Sequence, residues 1–188
     1  MPGDAHVWTM TVEVEGERPE WIGPLEAWLT PDERERAARF HFERHRRQFI
    51  ATRGALRALL GERLGRPADA LRFVEGAHGK PALARPDADR VEFNVTHSGG
   101  VSLLALAPAP VGIDVERARP SVDLDGIAKR FFAPVERDEL ERLPPDRRLD
   151  AFFACWTRKE AVLKAAGCGI AGGLARYAVS CAPDSPAR

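Results

Sequence analysis

Lysine, cysteine and long hydrophobic runs are scarce in this sequence, and the last two shortages each exclude a class of protein. Only four of the 28 basic residues are lysines, so arginine supplies nearly all of the positive charge. No apolar run approaches the roughly 20 residues of a membrane-spanning helix, and the start of the chain lacks the basic and apolar segments of a signal peptide. The three cysteines lie 13 residues apart, which fits neither a common zinc site nor a disulfide framework. We therefore expect a cytoplasmic protein without a membrane partner.

The composition is that of a globular protein whose charge is balanced overall but uneven along the chain. Of 188 residues, 44% are hydrophobic and 30% are charged, which excludes collagen-like, fully disordered and coiled-coil classes. Residues 1–30 carry six acidic residues and one arginine, a net charge of −5. Residues 31–66 carry ten arginines and five acidic residues, a net charge of +5. Such a basic segment either meets phosphates or another polyanion, or forms a solvated helix face.

The hydrophobic pattern predicts strands and helices in both halves of the chain, which meet at Pro108-Ala109-Pro110. Strands are predicted at 6–14, 71–74, 91–95, 101–107, 111–116 and 177–181. Helices are predicted at 31–39, 44–64, 127–132, 136–143 and 150–166, with Thr30 and Asp150 as N-caps. Each half thus offers strands and one major helix, which predicts an α+β fold of two similar lobes, 1–108 and 109–188.

The first candidate site is the predicted strand 111–116. Because alternate side chains of a strand share a face, Asp114 and Glu116 would project together, with Cα atoms roughly 6–7 Å apart. Two carboxylates that close repel each other unless a cation lies between them, and Mg²⁺ is the usual cation where phosphates are also bound. The alternative is a solvent-facing strand edge that carries two acidic residues.

The second candidate site is the predicted helix 150–166. Trp156, Glu160 and Lys164 are spaced four residues apart, so they line one side of that helix. The functional interpretation is a third metal carboxylate with a lysine one turn further on that holds a phosphate. The alternative is a surface ion pair between Glu160 and Lys164, worth about 0.3–0.5 kcal/mol.

Two glycine-containing segments of the first half complete the candidates. The segment Thr96-His97-Ser98-Gly99-Gly100 is predicted as a loop whose hydroxyls, imidazole and backbone N–H groups can donate to a phosphate. It matches neither a P-loop nor a nucleophile elbow. Lys80 lies in a tight turn, Gly79-Lys80-Pro81. A structural histidine and a solvated lysine are the alternatives for His97 and Lys80.

The order of these segments resembles that of the surfactin-synthetase-activating (Sfp-type) 4′-phosphopantetheinyl transferase family. The matching segments are GKP at 79–81, FNVTHSG at 93–99, GIDVE at 112–116, KRFF at 129–132 with Glu136 after it, and FFACWTRKEAVLKAAGCGI at 152–170. The resemblance extends from about residue 30 to residue 180. It implies a pseudo-dimer of two α+β lobes with coenzyme A bound between them.

The resemblance also implies a reaction and a role for each matching residue. The 4′-phosphopantetheine arm of coenzyme A would pass to a serine of an apo acyl- or peptidyl-carrier protein, with release of 3′,5′-adenosine bisphosphate. The Mg²⁺ carboxylates would be Asp114, Glu116 and Glu160, and Glu160 would also be the general base. Lys164 would hold the pyrophosphate, Thr96 and His97 would contact phosphate, and Arg36, Arg53 and Lys80 would surround the nucleotide and its 3′-phosphate. The carrier protein presents an acidic helix in this family, and we expect a monomer without a nucleic acid partner.

The sequence departs from the family pattern at three points. Glu33 lies where many relatives carry a lysine for the 3′-phosphate, so Arg34 or Arg36 would have to compensate. Thr96 replaces the more usual serine and keeps its hydroxyl. Relatives commonly continue with further strands beyond the point where this sequence ends, so the second lobe is expected to be shortened at its C-terminal end.

Two other functions compete with the transferase. One is a catalytically impaired, truncated module that binds coenzyme A or the carrier protein without turnover. The other is an unrelated Mg²⁺-dependent phosphohydrolase that uses the same carboxylates. The lack of a further Asp-rich or His-rich metal motif argues against the phosphohydrolase.

Overall fold

A computed structural model describes residues 4–12, 19–76, 79–87, 90–169 and 173–184. Its strands are β1 (His6–Thr11), β2 (Phe73–Glu75), β3 (Pro81–Leu83), β4 (Glu92–Ser98) and β5 (Val101–Ala107). Its α-helices are α1 (Ile22–Ala27), α2 (Pro31–Ala38), α3 (Glu43–Leu64), α4 (Leu124–Phe131), α5 (Pro134–Glu141) and α6 (Pro145–Ala166). Short 3₁₀ turns follow α3 at Ala68–Ala70 and α6 at Leu174–Arg176. The predicted α+β class is confirmed. The predicted division at residues 108–109 stays a prediction.

An antiparallel sheet in the order β1-β5-β4 forms the centre of the first half. Leu104 of β5 is opposite Trp8 of β1 and Val95 of β4, so one face of the sheet carries their side chains together. The long helix α3 covers this face, and β2 and β3 form a separate two-stranded sheet beside it. The buried members of this core are Leu56, Leu60, Leu64, Leu71, Leu83, Val91, Phe93, Leu104 and Leu106.

Local sequence signals explain where α2 and α3 begin and end. The backbone N–H of Thr30 donates to Oε2 of Glu33 at 3.0 Å, and Pro31 occupies the first helical position, where its missing N–H costs nothing. Helix α3 ends at Gly65, whose φ of +66° is a left-handed conformation that glycine adopts without strain. Gly54 lets α1 approach α3 closely, because a Cβ there would lie 2.6 Å from the carbonyl oxygen of Leu25.

The described residues of the second half form helices and no strand, so the two strands predicted there are wrong. Segment 111–116 is extended but is held by side chains of β4 instead of a backbone ladder. In segment 177–181, the N–H of Val179 donates to Glu136 and that of Cys181 donates to Glu139. Because carboxylates take these donors, the segment pairs with no neighbouring strand. The two lobes were predicted to be similar, but the described part of the second lobe has no strands to match those of the first.

Helix α6 is longer than predicted because its N-cap is Pro144 and not Asp150. Pro145 occupies the first helical position, which proline favours, so the Pro-Pro pair begins the helix instead of preceding it by several residues. Gly167 ends the helix with a φ of +66°, as predicted. The part of the chain that is described contains no helix long and apolar enough to cross a membrane.

A buried ion pair joins α5, α6 and the segment after α6. Nζ of Lys159 lies 2.7 Å from both carboxylate oxygens of Glu136, and both side chains are fully buried. Lys159 also donates to the carbonyl oxygen of Tyr177, while the N–H groups of Ala133 and Val179 donate to Glu136. Every charge in this pair is thus matched by several hydrogen bonds, which is the condition for burying it.

Gly112 sets the distance between segment 111–116 and α6. A Cβ at Gly112 would overlap the carbonyl oxygen of Ala161 and the backbone nitrogen of Ala165. We expect Gly112→Ala to lower the free energy of unfolding by about 1–3 kcal/mol, because backbone cannot move aside as a flexible side chain can. Urea denaturation measures this, with Gly23→Ala as the control, since a Cβ at Gly23 meets nothing within 4 Å. Equal midpoints for the two variants would contradict the expectation.

Candidate active site

The strand β4 continues through Ser98, so the predicted loop 96–100 is wrong in its first three residues. Only Gly99 and Gly100 form the turn to β5, and both have positive φ values, 57° and 85°. The three residues stay in the sheet because they pair with β5: Thr96 with Leu103, His97 with Ser102 and Ser98 with Val101. Thr96 is buried and His97 is exposed, so the two residues have different surroundings.

Asp114 and Lys164 meet in the cleft between the two halves. Nζ of Lys164 lies 2.5 Å from Oδ1 of Asp114 and 3.1 Å from Oγ1 of Thr96, which itself donates to Oδ1 of Asp114 at 3.0 Å. The Asp114 side chain is only 4% exposed. These contacts bring β4, segment 111–116 and α6 together at one place. A cavity of about 410 Å³ opens here, lined by Val95, Thr96, His97, Asp114, Glu116, Trp156, Glu160 and Lys164.

Two carboxylate oxygens of the cleft are buried and have no hydrogen-bond partner among the described residues. They are Oδ2 of Asp114 and Oε1 of Glu160. An unpartnered buried oxygen is costly, and two of them on adjacent carboxylates suit a hard cation. Burial raises the pKa of Glu160, and the charges of Asp114 and Glu116 raise it further against the opposing effect of Lys164. The carboxylates therefore repel one another in the absence of a cation.

These carboxylates do not form a closed metal cage. Among the described residues, no three His, Cys, Asp or Glu side chains are arranged so that they alone could hold an ion. Glu116 is engaged by Ser98, whose Oγ donates to Oε2 at 3.1 Å. Mg²⁺ is commonly bound by one or two carboxylates together with substrate phosphates and water, so an incomplete set of protein ligands fits this ion. The donor chemistry therefore suits a Mg²⁺ that arrives with a phosphate ligand.

A larger and strongly basic cavity of about 860 Å³ adjoins the cleft at Val95 and His97. Its lining includes Arg36, Arg44, His45, Phe49, Arg53, His97 and Arg117. Nη1 of Arg53 is buried and has no hydrogen-bond partner among the described residues. Desolvation lowers the pKa of the Arg53 guanidinium, although Glu33 acts in the opposite direction. The pKa of His97 is lowered by desolvation and then by Lys164 and His45. A bound anion would raise the pKa of both groups, because it stabilises their charged forms.

Glu33 has a structural role that the sequence alone did not reveal. Its carboxylate accepts hydrogen bonds from Arg57 at 2.7 Å and 3.0 Å and lies 3.5 Å from Nε of Arg53. Arg34 donates to the carbonyl oxygen of Ala27 at 2.8 Å, so it turns to the end of α1. Of the two arginines expected to compensate for Glu33, Arg36 is the one that lines the basic cavity.

Lys80 lies at the junction of the two halves. Its Nζ lies 3.4 Å from the carbonyl oxygen of Val111 and 3.5 Å from that of Ala165. It is not among the residues that line the basic cavity or the carboxylate cleft. The predicted role of Lys80 as a nucleotide contact stays a prediction.

Sequence analysis missed several residues that the fold brings to the site. Arg44, His45 and Arg117 line the basic cavity without having been singled out. The only signal for the first two was the excess of arginine in residues 31–66. Ser98 was noted only as one hydroxyl of a predicted loop, whereas it bonds Glu116 directly.

Comparisons with known proteins agree across residues 16–187. Residues 16–109 match a family model described as 4′-phosphopantetheinyl transferase, N-terminal, and residues 110–187 match the 4′-phosphopantetheinyl transferase superfamily. The 4′-phosphopantetheinyl transferase HetI of Nostoc sp. is 40% identical over 188 residues, which cover 98% of this chain and 77% of HetI. Sfp of Bacillus subtilis is 29% identical over 153 residues, covering 81% of this chain and 66% of Sfp. The human L-aminoadipate-semialdehyde dehydrogenase-phosphopantetheinyl transferase is 31% identical, covering 88% of this chain and 57% of the human protein.

Proposed function

Because the chain belongs to the 4′-phosphopantetheinyl transferase superfamily, we propose that it transfers the 4′-phosphopantetheine group of coenzyme A to a serine of an apo carrier protein. In this reaction the serine oxygen forms a bond to the β-phosphorus, and the bond from that phosphorus to 3′,5′-adenosine bisphosphate breaks. The observation that carries the proposal is the carboxylate cleft beside an arginine-rich cavity, where two carboxylate oxygens have no hydrogen-bond partner within the residues that the structure describes.

Coenzyme A is proposed to bind with its nucleotide in the basic cavity and its pyrophosphate in the cleft. Arg36 and Arg53 would face the 3′-phosphate, since both line the cavity and Nη1 of Arg53 has no hydrogen-bond partner in the described part of the chain. His97 lines both cavities and would donate to a phosphate between them, beside the Thr96 hydroxyl. Lys164 would exchange its contact with Asp114 for a pyrophosphate oxygen. Lys80 is also proposed to contact the nucleotide. For this, its Nζ would have to move away from the carbonyl oxygens of Val111 and Ala165.

Asp114, Glu116 and Glu160 are proposed to hold Mg²⁺. When bound, this ion would stabilise the negative charge of the pyrophosphate as the leaving group departs. The residues of the chain contribute orientation: Thr96 fixes Oδ1 of Asp114 and leaves Oδ2 open, while α6 directs Glu160 into the same cleft. Without a cation, Lys164 balances one of the three carboxylates.

Glu160 is proposed as the general base that accepts the proton of the incoming serine hydroxyl at Oε1. That atom has no hydrogen-bond partner among the described residues, so it can accept a hydrogen bond and then the proton from the serine hydroxyl. General-base assistance of this kind contributes roughly 10²–10⁴ in rate. Trp156, one turn before Glu160, stacks on Phe152 and Phe132 and keeps this face of α6 fixed.

The partners in the proposal are coenzyme A and an acyl- or peptidyl-carrier protein, with the transferase acting as a cytoplasmic monomer. The basic helix α3 suits an acidic partner surface, because opposite charges speed encounter. The proposal includes no nucleic acid or membrane partner. A catalytically impaired binding module is not favoured, since the matched relatives are named as transferases and the cleft residues lie together.

Intact-mass spectrometry of an apo carrier protein tests the function directly. After incubation with this protein, coenzyme A and Mg²⁺, we expect the carrier to gain the mass of one phosphopantetheine, and we expect EDTA to abolish the gain. An apo carrier whose acceptor serine is replaced by alanine is the control. Coenzyme A binding without a mass gain on acyl- and peptidyl-carriers would instead support the binding module. Release of inorganic phosphate without transfer would support the phosphohydrolase.

A further inference from the structure

Three side chains of β4 hold segment 113–117, and each bonds one point along it. Oδ1 of Asn94 accepts from the N–H of Ile113 at 2.9 Å. Thr96 donates to Asp114, and Ser98 donates to Glu116. Asn94, Thr96 and Ser98 share one face of β4, because alternate residues of a strand point the same way. The partners advance in the same direction along both segments, so segment 113–117 runs parallel to β4 and is fixed by side chains.

Ser98 bonds this segment twice. Its Oγ donates to Oε2 of Glu116 at 3.1 Å and accepts from the backbone N–H of Arg117 at 3.1 Å. One hydroxyl therefore fixes both the Glu116 carboxylate and the backbone that follows it. Gly99 assists, because a Cβ there would lie 2.9 Å from Cδ of Arg117, so the glycine leaves room for the Arg117 side chain to cross the turn.

We propose that Ser98 is a positioning residue that orients the Glu116 carboxylate for a divalent cation in the cleft. Glu116 is half-buried and lies on segment 111–116, which lacks the backbone ladder that would fix a strand, and Ser98 donates to its carboxylate. Its orientation depends on the hydroxyl of Ser98. This inference rests on the proposed function for its relevance to the reaction, but cation binding can be measured without any transfer.

The geometry predicts a specific loss on removal of the hydroxyl. In Ser98→Ala, Glu116 loses its side-chain donor and the N–H of Arg117 loses its acceptor. Loss of a hydrogen bond that orients a metal ligand commonly costs 10–100-fold in metal affinity. We therefore expect Ser98→Ala to weaken Mn²⁺ binding at least about 10-fold, and Ser98→Thr, which keeps a hydroxyl on a strand position, to restore most of it.

Electron paramagnetic resonance of Mn²⁺, titrated into the full-length protein with coenzyme A present, tests the proposal. Ser102→Ala is the matched control, because Ser102 is a buried serine of the same sheet that bonds Gln48 and Thr52 and touches no carboxylate of the cleft. We expect Ser102→Ala to lower the melting temperature and to leave the Mn²⁺ dissociation constant unchanged. We expect Ser98→Ala to raise the Mn²⁺ dissociation constant and to have the smaller effect on the melting temperature.

The outcomes separate this proposal from the transferase itself. The positioning role is overturned if Ser98→Ala binds Mn²⁺ as tightly as the wild type does. It is also overturned if Ser98→Thr or Ser102→Ala loses as much Mn²⁺ affinity as Ser98→Ala, or if the wild type binds no Mn²⁺. Failure of the wild type to modify a carrier protein, with Mn²⁺ binding still dependent on Ser98, overturns the transferase and leaves the positioning role intact. In an active enzyme, Ser98→Ala raises the Mg²⁺ concentration for half-maximal transfer about 10-fold and keeps most of the rate at saturating Mg²⁺.

Discussion

Glu160→Gln is expected to reduce phosphopantetheine transfer by roughly 10²–10⁴ while the protein remains folded. The amide cannot accept the serine proton and is a poorer ligand for a hard cation than a carboxylate. Single-turnover transfer followed by intact mass is the measurement. Glu141→Gln is the matched control, because Glu141 is an exposed glutamate on α5 away from the cleft. Transfer by Glu160→Gln within about twofold of the wild type would contradict the assignment of Glu160 as base and metal ligand.

The same variant separates activity from stability through its pH dependence. The pKa of Glu160 is raised in the folded protein by burial and by Asp114, so the folded state disfavours its charged form. A raised pKa means that the contribution of Glu160 to stability is complete below its ordinary pKa of 4.5 and is lost as the pH rises through the raised value. In EDTA, Glu160→Gln should therefore be at least as stable as the wild type at neutral pH. Urea denaturation at pH 4 and pH 7.5 measures the difference, which should favour the glutamine variant more at the higher pH.

Lys159→Met is expected to lower the free energy of unfolding by about 3–5 kcal/mol, the largest effect on stability that we predict. The substitution leaves the carboxylate of Glu136 fully buried, with the backbone N–H groups of Ala133 and Val179 as its remaining donors. A buried charge without a counter-charge costs far more than a missing neutral hydrogen bond. Urea denaturation followed by circular dichroism measures the loss.

Two further variants show that burial decides the size of this effect. Arg39→Met removes one member of the pair with Glu35, where both side chains are 71% exposed, and should change stability by no more than about 0.5 kcal/mol. Adding Glu136→Gln to Lys159→Met removes the unpaired charge while keeping an acceptor, so the double variant should be more stable than Lys159→Met alone. A loss below about 1 kcal/mol in Lys159→Met would contradict the importance of the buried pair.

Local signals were enough to predict most helices and most first-half strands, although α1 and β3 were not predicted. The apolar spacing in residues 44–64 predicted α3. The Thr30-Pro31 signal predicted the start of α2 correctly, and the predicted end, residue 39, is one residue beyond the observed end at Ala38. These elements were predictable because their periodicity and caps lie within a few residues of one another. The predictions failed where a distant partner decided the structure. Segments 111–116 and 177–181 have strand-like sequences, yet side chains of β4 and of α5 take their backbone donors.

The sequence by itself determined which residues of α6 share one face of the helix, because residue spacing along a helix is a local property. Trp156, Glu160 and Lys164 line the cleft together, as their four-residue spacing predicts. Only the tertiary structure decided how these residues are paired. Lys164 bonds Asp114 and Thr96, which are 50 and 68 residues away in the chain, and Ser98 bonds Glu116 across a turn and a strand. Such contacts depend on how α6 and segment 111–116 pack against β4, and no local pattern encodes that packing.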